Sequence, residues 1–363
     1  MIRYAFIIQG EGRGHLTQAI ACKQMMDEKG HQCVGILTGK SSQRVLPPFF
    51  YKKINHEIFH FRSPNFLKNK IKESYLVFLS IFYNLLLSPV FIRSTFQIHK
   101  KIKELKPDVI INFYEPLTGL WKMFFRSQTK VISISHQYFY NYPDFKMPGR
   151  FMERFFIRLL NKTTSYGSMR LFAIHIEKKE SFKNITIIPP LIRKEIHQVE
   201  TKDDGHFAVY LLNHGYAKDI TRWHHNNPAI RIACFWDHPD KQSVLKYDET
   251  LSFFQLDDQK FIHSMATSHG LLSTAGYEAI CEAAYLGKAV LMVPVKNHFE
   301  QYLNAKLFSE YGFGVISDEI NPEYLIKFAP NMDKLTKFKE WVNQGNEFII
   351  GEIENVLQMK YER

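Results

Sequence analysis

The sequence is poor in cysteine and has no cysteine pattern that would hold a metal or a disulfide framework. Its 363 residues include four scattered cysteines, and no Cys-x-x-Cys spacing occurs among them. This scarcity excludes a disulfide scaffold, argues against a zinc site and favours the reducing cytoplasm. A signal peptide is not predicted either, because Ile2–Gln9 already has the pattern of a buried strand. The cysteines are Cys22, Cys33, Cys234 and Cys281.

Internal repeats, low-complexity tracts and long flexible linkers are also missing from the sequence. A chain of 363 residues exceeds the usual span of one hydrophobic core, and its 45% hydrophobic content supports two. We predict a break after the paired prolines Pro189-Pro190, which disfavour helix and stiffen the chain. The first domain is then residues 1–190 and the second 191–340. A C-terminal helix at 341–363 is expected to pack back on the first domain.

Negative charge is scarce in the first half of the chain. Residues 1–190 carry 29 Lys and Arg against 12 Asp and Glu, a net charge of +17, whereas residues 191–363 carry 18 against 24, a net charge of −6. Such asymmetry predicts that one half meets nucleic acid or another anionic surface. The basic residues are dispersed and no nucleic-acid-binding motif is present, so no nucleic acid is predicted as a partner. An anionic membrane surface is favoured, at the inner face of the plasma membrane.

One apolar segment supports the membrane interpretation. Ser74–Ile92 contains 19 residues without a charge, and lysines precede it and Arg93 follows it. The length permits a membrane span, but a span here would divide a predicted domain. Four residues also weaken that alternative: Ser80, Asn84, Ser88 and Pro89. Two other interpretations stay open: a helix in the domain core, and a helix that lies on an anionic bilayer.

The stretch from Leu271 to Gly314 is the most informative part of the chain. We predict a loop that ends in Ser273-Thr274-Ala275-Gly276, a helix, a strand at Ala289–Val295, a polar loop to Gln301 and a second helix. A glycine before a helix lets an anion approach the free N–H groups of the first turn. Two carboxylates follow one turn apart on that helix, Glu278 and Glu282. The pattern indicates a nucleotide-sugar site, and the alternative is an ordinary strand–helix–strand unit with polar ends.

The N-terminus has a second glycine-rich turn. A strand at Ile2–Gln9 leads into a loop with three glycines, a helix to about Lys29 and a strand at Gln32–Leu37. The glycine spacing does not fit G-x-G-x-x-G and no acidic residue closes the second strand, which argues against NAD. His15 follows this loop. It is a candidate general base, because a histidine titrates near neutral pH, and the alternative is a residue that only hydrogen-bonds at the helix start. The glycines are Gly10, Gly12 and Gly14.

The later motif resembles the donor half of GT-B glycosyltransferases. Gly276, Glu282 six residues on, Gly287, the pair Glu300-Gln301 and the pair Asn304-Ala305 are similar to families 28 and 1. The resemblance implies an α/β fold of two Rossmann-like domains that face each other across a cleft. It also implies contacts of Glu282 with ribose, of Glu300 and Gln301 with the donor sugar, and of the loop with the diphosphate. The loop residues are Ser273, Thr274, Ala275 and Gly276.

The same resemblance extends to the other strand ends. It places His15 at the acceptor hydroxyl and Gly14 among the residues that bind the donor. In the second domain it implies a diphosphate contact from the loop after the strand His206–Leu212, namely from Asn213 and Gly215. Families 28 and 1 usually have a Gly/Ser-rich loop there, and this sequence departs from it.

Two further polar residues follow predicted strands of the first domain. Glu115 comes after Val109–Phe113 and is a candidate either to act as the base or to orient His15, and the alternative is a cap for the helix that begins at Pro116. His136 comes after Val131–Ser135. It is a candidate to contact the acceptor, or a polar residue at a strand end.

These patterns predict an enzyme, a hexosyltransferase-type glycosyltransferase. A sugar would move from a UDP-linked nucleotide sugar to the hydroxyl group of an acceptor. The acceptors considered include lipid-linked ones. The resemblance implies inverting transfer without a metal or other cofactor, and the sequence lacks the Asp-x-Asp pair. Two alternatives stay open: an enzyme that resembles the UDP-N-acetylglucosamine epimerase, and a non-catalytic subunit that binds the donor at the membrane.

Overall fold

The computed structural model describes residues 1–10, 12–40, 46–65, 77–211, 214–236, 244–296 and 298–360. These residues form two compact units. Unit 1 runs from Met1 to Arg193 and includes the segment from Glu340 onward, and unit 2 runs from Lys194 to Lys339.

Unit 1 is built on a sheet of seven strands in the order β3-β2-β1-β4-β5-β6-β7. Its strand pairs are parallel, and the central strand β4 is buried over its whole length. Parallel strands have helices on both faces, so they consist of continuous apolar runs such as Ile110–Ile111 between Val109 and Asn112. The strands are β1 (Arg3–Gln9), β2 (Gln32–Lys40), β3 (Ile58–Arg62), β4 (Val109–Phe113), β5 (Lys130–Ser135), β6 (Arg170–Ile174) and β7 (Ile185–Ile188).

The helices of unit 1 connect these strands and cover the sheet. Phe91, Ile98, Leu117 and Trp121 from two of them pack with strand residues such as Ile110 in one core cluster. The helices are α1 (Arg13–Glu28), α2 (Pro48–Ile54), α3 (Val77–Leu86), α4 (Ser88–Leu105), α5 (Pro116–Phe125) and α6 (Phe151–Ser165).

Unit 2 begins with helix α7 (Lys194–Gln198) and contains a second seven-stranded sheet, in the order β10-β11-β9-β8-β12-β13-β14. Its strands are parallel except for β10, which pairs antiparallel with β11. The strands are β8 (His206–Tyr210), β9 (Arg231–Trp236), β10 (Val244–Lys246), β11 (Leu251–Gln255), β12 (Gly270–Ser273), β13 (Ala289–Met292) and β14 (Gly314–Ile316). The helices are α8 (Ala217–Asn226), α9 (Asp258–Thr267), α10 (Tyr277–Tyr285), α11 (Phe299–Glu310) and α12 (Glu323–Ile326).

The predicted α/β class with two Rossmann-like sheets is confirmed. Two details of unit 2 were wrong. The sequence predicts an edge strand at Leu251–Gln255, but this strand is not at the sheet edge, because β10 lies outside it. The strand predicted for Ala289–Val295 ends at Met292, and the helix after it begins at Phe299, so Glu300 and Gln301 lie in the first turn of α11 and not in a loop.

The apolar segment Ser74–Ile92 is described from residue 77 onward. It forms α3 and the start of α4, and the two helices are separated at Leu87, before Ser88-Pro89 opens the second helix. Phe91 is buried, whereas Phe82, Leu85 and Leu86 are exposed. Among the residues from 77 to 92 and in the rest of the described chain, no helix is both long and apolar enough to cross a membrane.

The C-terminal segment consists of two helices, α13 (Met332–Asn343) and α14 (Gly345–Gln358). Within unit 1, the Trp341 Nε1 group donates a hydrogen bond to the His175 carbonyl at 3.2 Å. Ile349, Ile353 and Val356 recur at helical spacing in α14 and are buried. A single apolar face thus attaches the end of the chain to unit 1.

Candidate functional site

In unit 2 the turn from β12 to α10 has an unusual backbone. Ala275 adopts a left-handed conformation with φ of 59°, which is uncommon for a residue with a Cβ. The Asn304 Nδ2 group, from α11, donates a hydrogen bond to the Ala275 carbonyl at 3.1 Å and holds the turn in place. Strained conformations of this kind occur often at functional sites.

Gly276 is the N-cap of α10, and its surroundings are open. Its φ of −68° is accessible to any residue, and a Cβ added there would meet no atom within 4 Å. Neither backbone conformation nor packing therefore requires glycine. Its small size instead leaves the N–H groups of the first turn of α10 accessible, and such groups with the positive end of the helix dipole bind phosphate.

Helix α10 carries the two predicted carboxylates on its buried side. Glu278 and Glu282 are both almost fully buried. Burial, together with the charges of these two carboxylates, raises the pKa of the Cys281 thiol between them. Carboxylate oxygens accept hydrogen bonds, and the two hydroxyls of a ribose are donors of the right kind.

Gln301 has a structural contact with the loop that precedes α11. Its Oε1 atom accepts a hydrogen bond from the Val295 backbone N–H at 2.9 Å, and the His298 side chain caps the helix by accepting from the Gln301 N–H at 3.4 Å. Gln301 is buried, and Glu300 is half-buried beside it. Gln301 therefore ties the preceding loop to the first turn of α11, which also contains Glu300.

A recess lies at the carboxyl ends of β8 and β12. Open α/β sheets bind ligands at such edges. Of the predicted donor residues, Ser273 and Thr274 line the recess directly, and Gly215 precedes Tyr216, which also lines it. Asn213 lies outside the described residues. The remaining lining residues are Val209, Tyr210, Leu211, Leu272, Val293 and Ile320.

In unit 1, His15 lies in the first turn of α1, so Gly14 and His15 belong to the helix. The imidazole is nearly buried, its Nδ1 atom lies 3.3 Å from Gln18 Oε1, and its ring stacks on Tyr114 at 5.6 Å between centroids. Tyr114 itself has a positive φ of 58°, at the turn from β4 to α5. Turns of unusual backbone therefore follow β4, the central strand of the first sheet, and β12, which lies next to the central strand β8 of the second sheet.

Glu115 is the N-cap of α5, as the capping alternative predicted. Its side chain is fully buried, and Oε1 accepts hydrogen bonds from the Leu117 N–H at 3.1 Å and from the Ser63 hydroxyl at 2.6 Å. A Cβ at Gly39 would clash with Oε2 of Glu115, so the glycine leaves room for the carboxylate. These contacts hold Glu115 in one position. A role in proton transfer stays a prediction.

The strand order brings three predicted residues of unit 1 to one edge. β1, β4 and β5 are neighbours, and His15, Glu115 and His136 each follow the end of one of them. His136 begins a 3-10 helix, His136–Asn141, and is nearly buried. Ser63, which follows β3, was not predicted as a site residue. The aromatic strand Ile58–Arg62 could have indicated it, because Ser63 is the polar residue directly after that strand.

No group of three or more His, Cys, Asp and Glu side chains that could hold a metal ion occurs among the described residues. The four cysteines are free thiols.

Comparison with known proteins identifies the family. The model of glycosyl transferase family 1 matches residues 2–333. No curated protein sequence matches the chain significantly. Similar solved structures include the glycotransferase of kitacinnamycin (TM-score 0.65, 14% identity, 98% of this chain and 99% of that chain).

Two other similar structures are MurG of Acinetobacter baumannii and LpCGTa in complex with UDP. The first has a TM-score of 0.59 and 13% identity and covers 97% of this chain and 99% of that chain. The second has a TM-score of 0.63 and 13% identity and covers 99% of this chain and 100% of that chain. The chain therefore belongs to glycosyl transferase family 1 and is a hexosyltransferase-type glycosyltransferase with the GT-B fold.

Proposed function

We propose that the protein transfers a sugar from a UDP-linked donor to an acceptor hydroxyl, and that unit 2 binds the donor. The observation that carries this proposal is the open N-terminus of α10 at Gly276, with the buried Glu282 six residues on. Similar structures include a protein in complex with UDP, which supports UDP as the nucleotide.

The donor would be held by three kinds of contact. The diphosphate lies at the N–H groups of the α10 first turn, beside Thr274 and Gly276, where the helix dipole stabilises negative charge. Glu282 accepts hydrogen bonds from the ribose hydroxyls, and Glu300 contacts the donor sugar. Asn304 keeps the Ala275 carbonyl fixed, so the loop is preorganised and little binding energy is lost in ordering it.

Unit 1 would supply the group that activates the acceptor. His15 takes the proton from the acceptor hydroxyl, whose oxygen attacks the anomeric carbon while the bond from that carbon to the diphosphate breaks. Attack from the side opposite the leaving group inverts the configuration. The diphosphate leaves with its added charge stabilised by the amides of α10, without a metal. The contacts of Glu115 with Ser63 and Leu117 favour a positioning role for this carboxylate over a role as the base.

The test is calorimetric titration of UDP into the wild type and Glu282→Ala. A hydrogen bond to a charged group contributes about 1.5–3 kcal/mol, so UDP should bind roughly 10- to 150-fold more weakly to the variant. Glu278→Ala is the matched control, because this carboxylate is also buried in α10, one turn earlier. It should retain the UDP affinity of the wild type.

Melting temperatures without ligand separate a binding role from a structural one. Equal UDP affinity in wild type and Glu282→Ala, with a lower melting temperature in the variant, would refute the ribose contact. A sample that consumes a UDP-sugar without any acceptor would point to the epimerase alternative.

A further inference from the structure

Helix α6 is attached to unit 1 by buried polar side chains on one of its faces. Asn161 Oδ1 accepts a hydrogen bond from the Tyr114 hydroxyl at 2.6 Å, and its Nδ2 group donates to the Gln137 carbonyl at 2.8 Å. One turn later, Thr164 Oγ1 accepts from the Tyr138 hydroxyl at 3.0 Å. The face of α6 that carries Asn161 and Thr164 therefore packs on unit 1. The helical period then determines which residues lie on the opposite, outer face.

These contacts also establish how α6 is oriented along the sheet. Asn161 bonds to residues that follow β4 and β5, whereas the Thr164 carbonyl accepts from Asn112 within β4 at 2.9 Å. The helix therefore runs antiparallel to the strands. Residues 151–160 precede Asn161 and therefore project toward the carboxyl side of the strands, over about 15 Å of helix at a rise of about 1.5 Å per residue. This is the edge of unit 1 at which His15 lies.

The outer face of α6 is apolar at the projecting end. Phe151, Phe155 and Leu159 follow one another at four-residue spacing and are exposed by 71%, 48% and 49%. Met152 beside them is also exposed. A row of exposed large apolar side chains on one helix face marks an interaction surface more often than a chance arrangement.

Basic residues lie directly beside this apolar row. Arg154, Arg158 and Lys162 also recur at four-residue spacing, and a rotation of 100° per residue places them along one flank of the row. The single acidic residue of the helix, Glu153, accepts a hydrogen bond from the Arg150 backbone N–H at 2.7 Å. We call Phe151, Met152, Phe155, Leu159, Arg154, Arg158 and Lys162 together the α6 surface.

A second exposed apolar group lies at the same edge of unit 1. Helix α4 ends at Leu105, just before β4 begins at Val109, so its first turn at Ser88 lies near the carboxyl ends of the strands. The preceding helix, α3, exposes Leu85 and Leu86 there. An apolar edge with basic residues fits the interface of an anionic bilayer, where apolar and basic side chains both interact favourably.

We propose that the α6 surface docks unit 1 onto an anionic lipid bilayer and that the acceptor is carried by that membrane. The membrane contact is inferred from the basic residues and the exposed apolar side chains of α6, and the lipid-linked acceptor rests on the proposed function. Phe151, Phe155 and Leu159 enter the boundary between headgroups and acyl chains, and the basic flank contacts the phosphates. The projecting end of α6 thereby brings the His15 edge of unit 1 close to the bilayer.

The experiment is co-sedimentation of the full chain with vesicles, of phosphatidylcholine alone and of phosphatidylcholine with about 30% phosphatidylglycerol. Arg154→Gln with Arg158→Gln should weaken binding to the anionic vesicles about 30-fold, because each basic residue near such a surface contributes about fivefold. Phe151→Ser with Phe155→Ser should reduce binding to vesicles of both kinds. Added salt should weaken the binding of the wild type to anionic vesicles, since exposed charges are screened within about 8 Å at physiological ionic strength.

Met332→Ser with Ile326→Ser is the matched apolar control, because both residues are exposed in unit 2. It should bind vesicles as the wild type does, and UDP affinity should be the same in all variants. Equal sedimentation with both vesicles, no sedimentation with either, or unchanged binding of the α6 variants would overturn the membrane proposal. UDP binding without vesicle binding would leave the proposed function standing and refute this inference alone.

Discussion

Glu115 provides the sharpest test of how unit 1 works, because its buried contacts can be converted into a stability loss. Glu115→Ala removes the N-cap of α5, which costs about 1 kcal/mol. It also leaves the buried Ser63 hydroxyl without its acceptor, which costs about 1 kcal/mol more, and opens space beside Gly39. The opened space adds about 1 kcal/mol, so we expect Glu115→Ala to lower the free energy of unfolding by about 3 kcal/mol in total.

Glu115→Gln preserves the shape of the side chain and one oxygen that can accept from the Leu117 N–H. It should cost only about 1 kcal/mol, mainly the favourable interaction of a charge with the helix N-terminus. Gly39→Ala is a matched variant that retains the carboxylate but displaces it, since the added Cβ would clash with Oε2. It should destabilise the fold as Glu115→Ala does.

The assays are urea denaturation followed by circular dichroism, and turnover of a UDP-sugar by folded protein. If Glu115 only positions neighbouring residues and does not act as the base, Glu115→Gln should reduce turnover less than tenfold. A loss of a thousandfold or more in Glu115→Gln at nearly unchanged stability would refute this reasoning and make Glu115 the base.

Two other predictions concern histidines of unit 1. His15→Ala should lower turnover by roughly 10²–10⁴-fold while UDP affinity stays within twofold, because a general base acts on the acceptor; full turnover in the variant would exclude His15 as the base. Burial lowers the pKa of His175 to about 4, so the unfolded state binds the proton first and stability is lost as pH falls from about 6.5 to about 4. Between pH 7 and pH 4.5 the wild type should lose about 2 kcal/mol more than His175→Gln in urea denaturation, and equal losses would contradict the assignment.

Much of the fold could be predicted from local pattern. The strands Val109–Phe113 and Leu251–Gln255 were predicted with the bounds observed, because each is a distinct apolar run between turn residues. β10 was missed because three exposed residues have no apolar periodicity, and it exists only by pairing with β11. The sequence predicts a loop at the first turn of α11, because the N-cap is His298 and not one of the usual capping residues.

The candidate site also combines residues that the local sequence predicts with contacts that it does not predict. The sequence predicted Gly276, Glu282 and His15 because glycine loops and carboxylates at helical spacing are local features of the chain. It did not predict Asn304 as the residue that holds Ala275, nor Ser63 as the partner of Glu115. Each of these contacts joins residues 29 or 52 positions apart, and neither residue type identifies its partner.

The sequence by itself determined the two α/β domains, the family motif and the strong positive charge of the first half. Only the tertiary structure decided that Glu115 is a buried cap, that Ala275 and Tyr114 have left-handed backbone, and that α6 has an exposed apolar face. Composition fixes how much apolar surface a chain has. Which side of a helix is buried depends on the polar contacts at Asn161 and Thr164, which form only when the strands are paired.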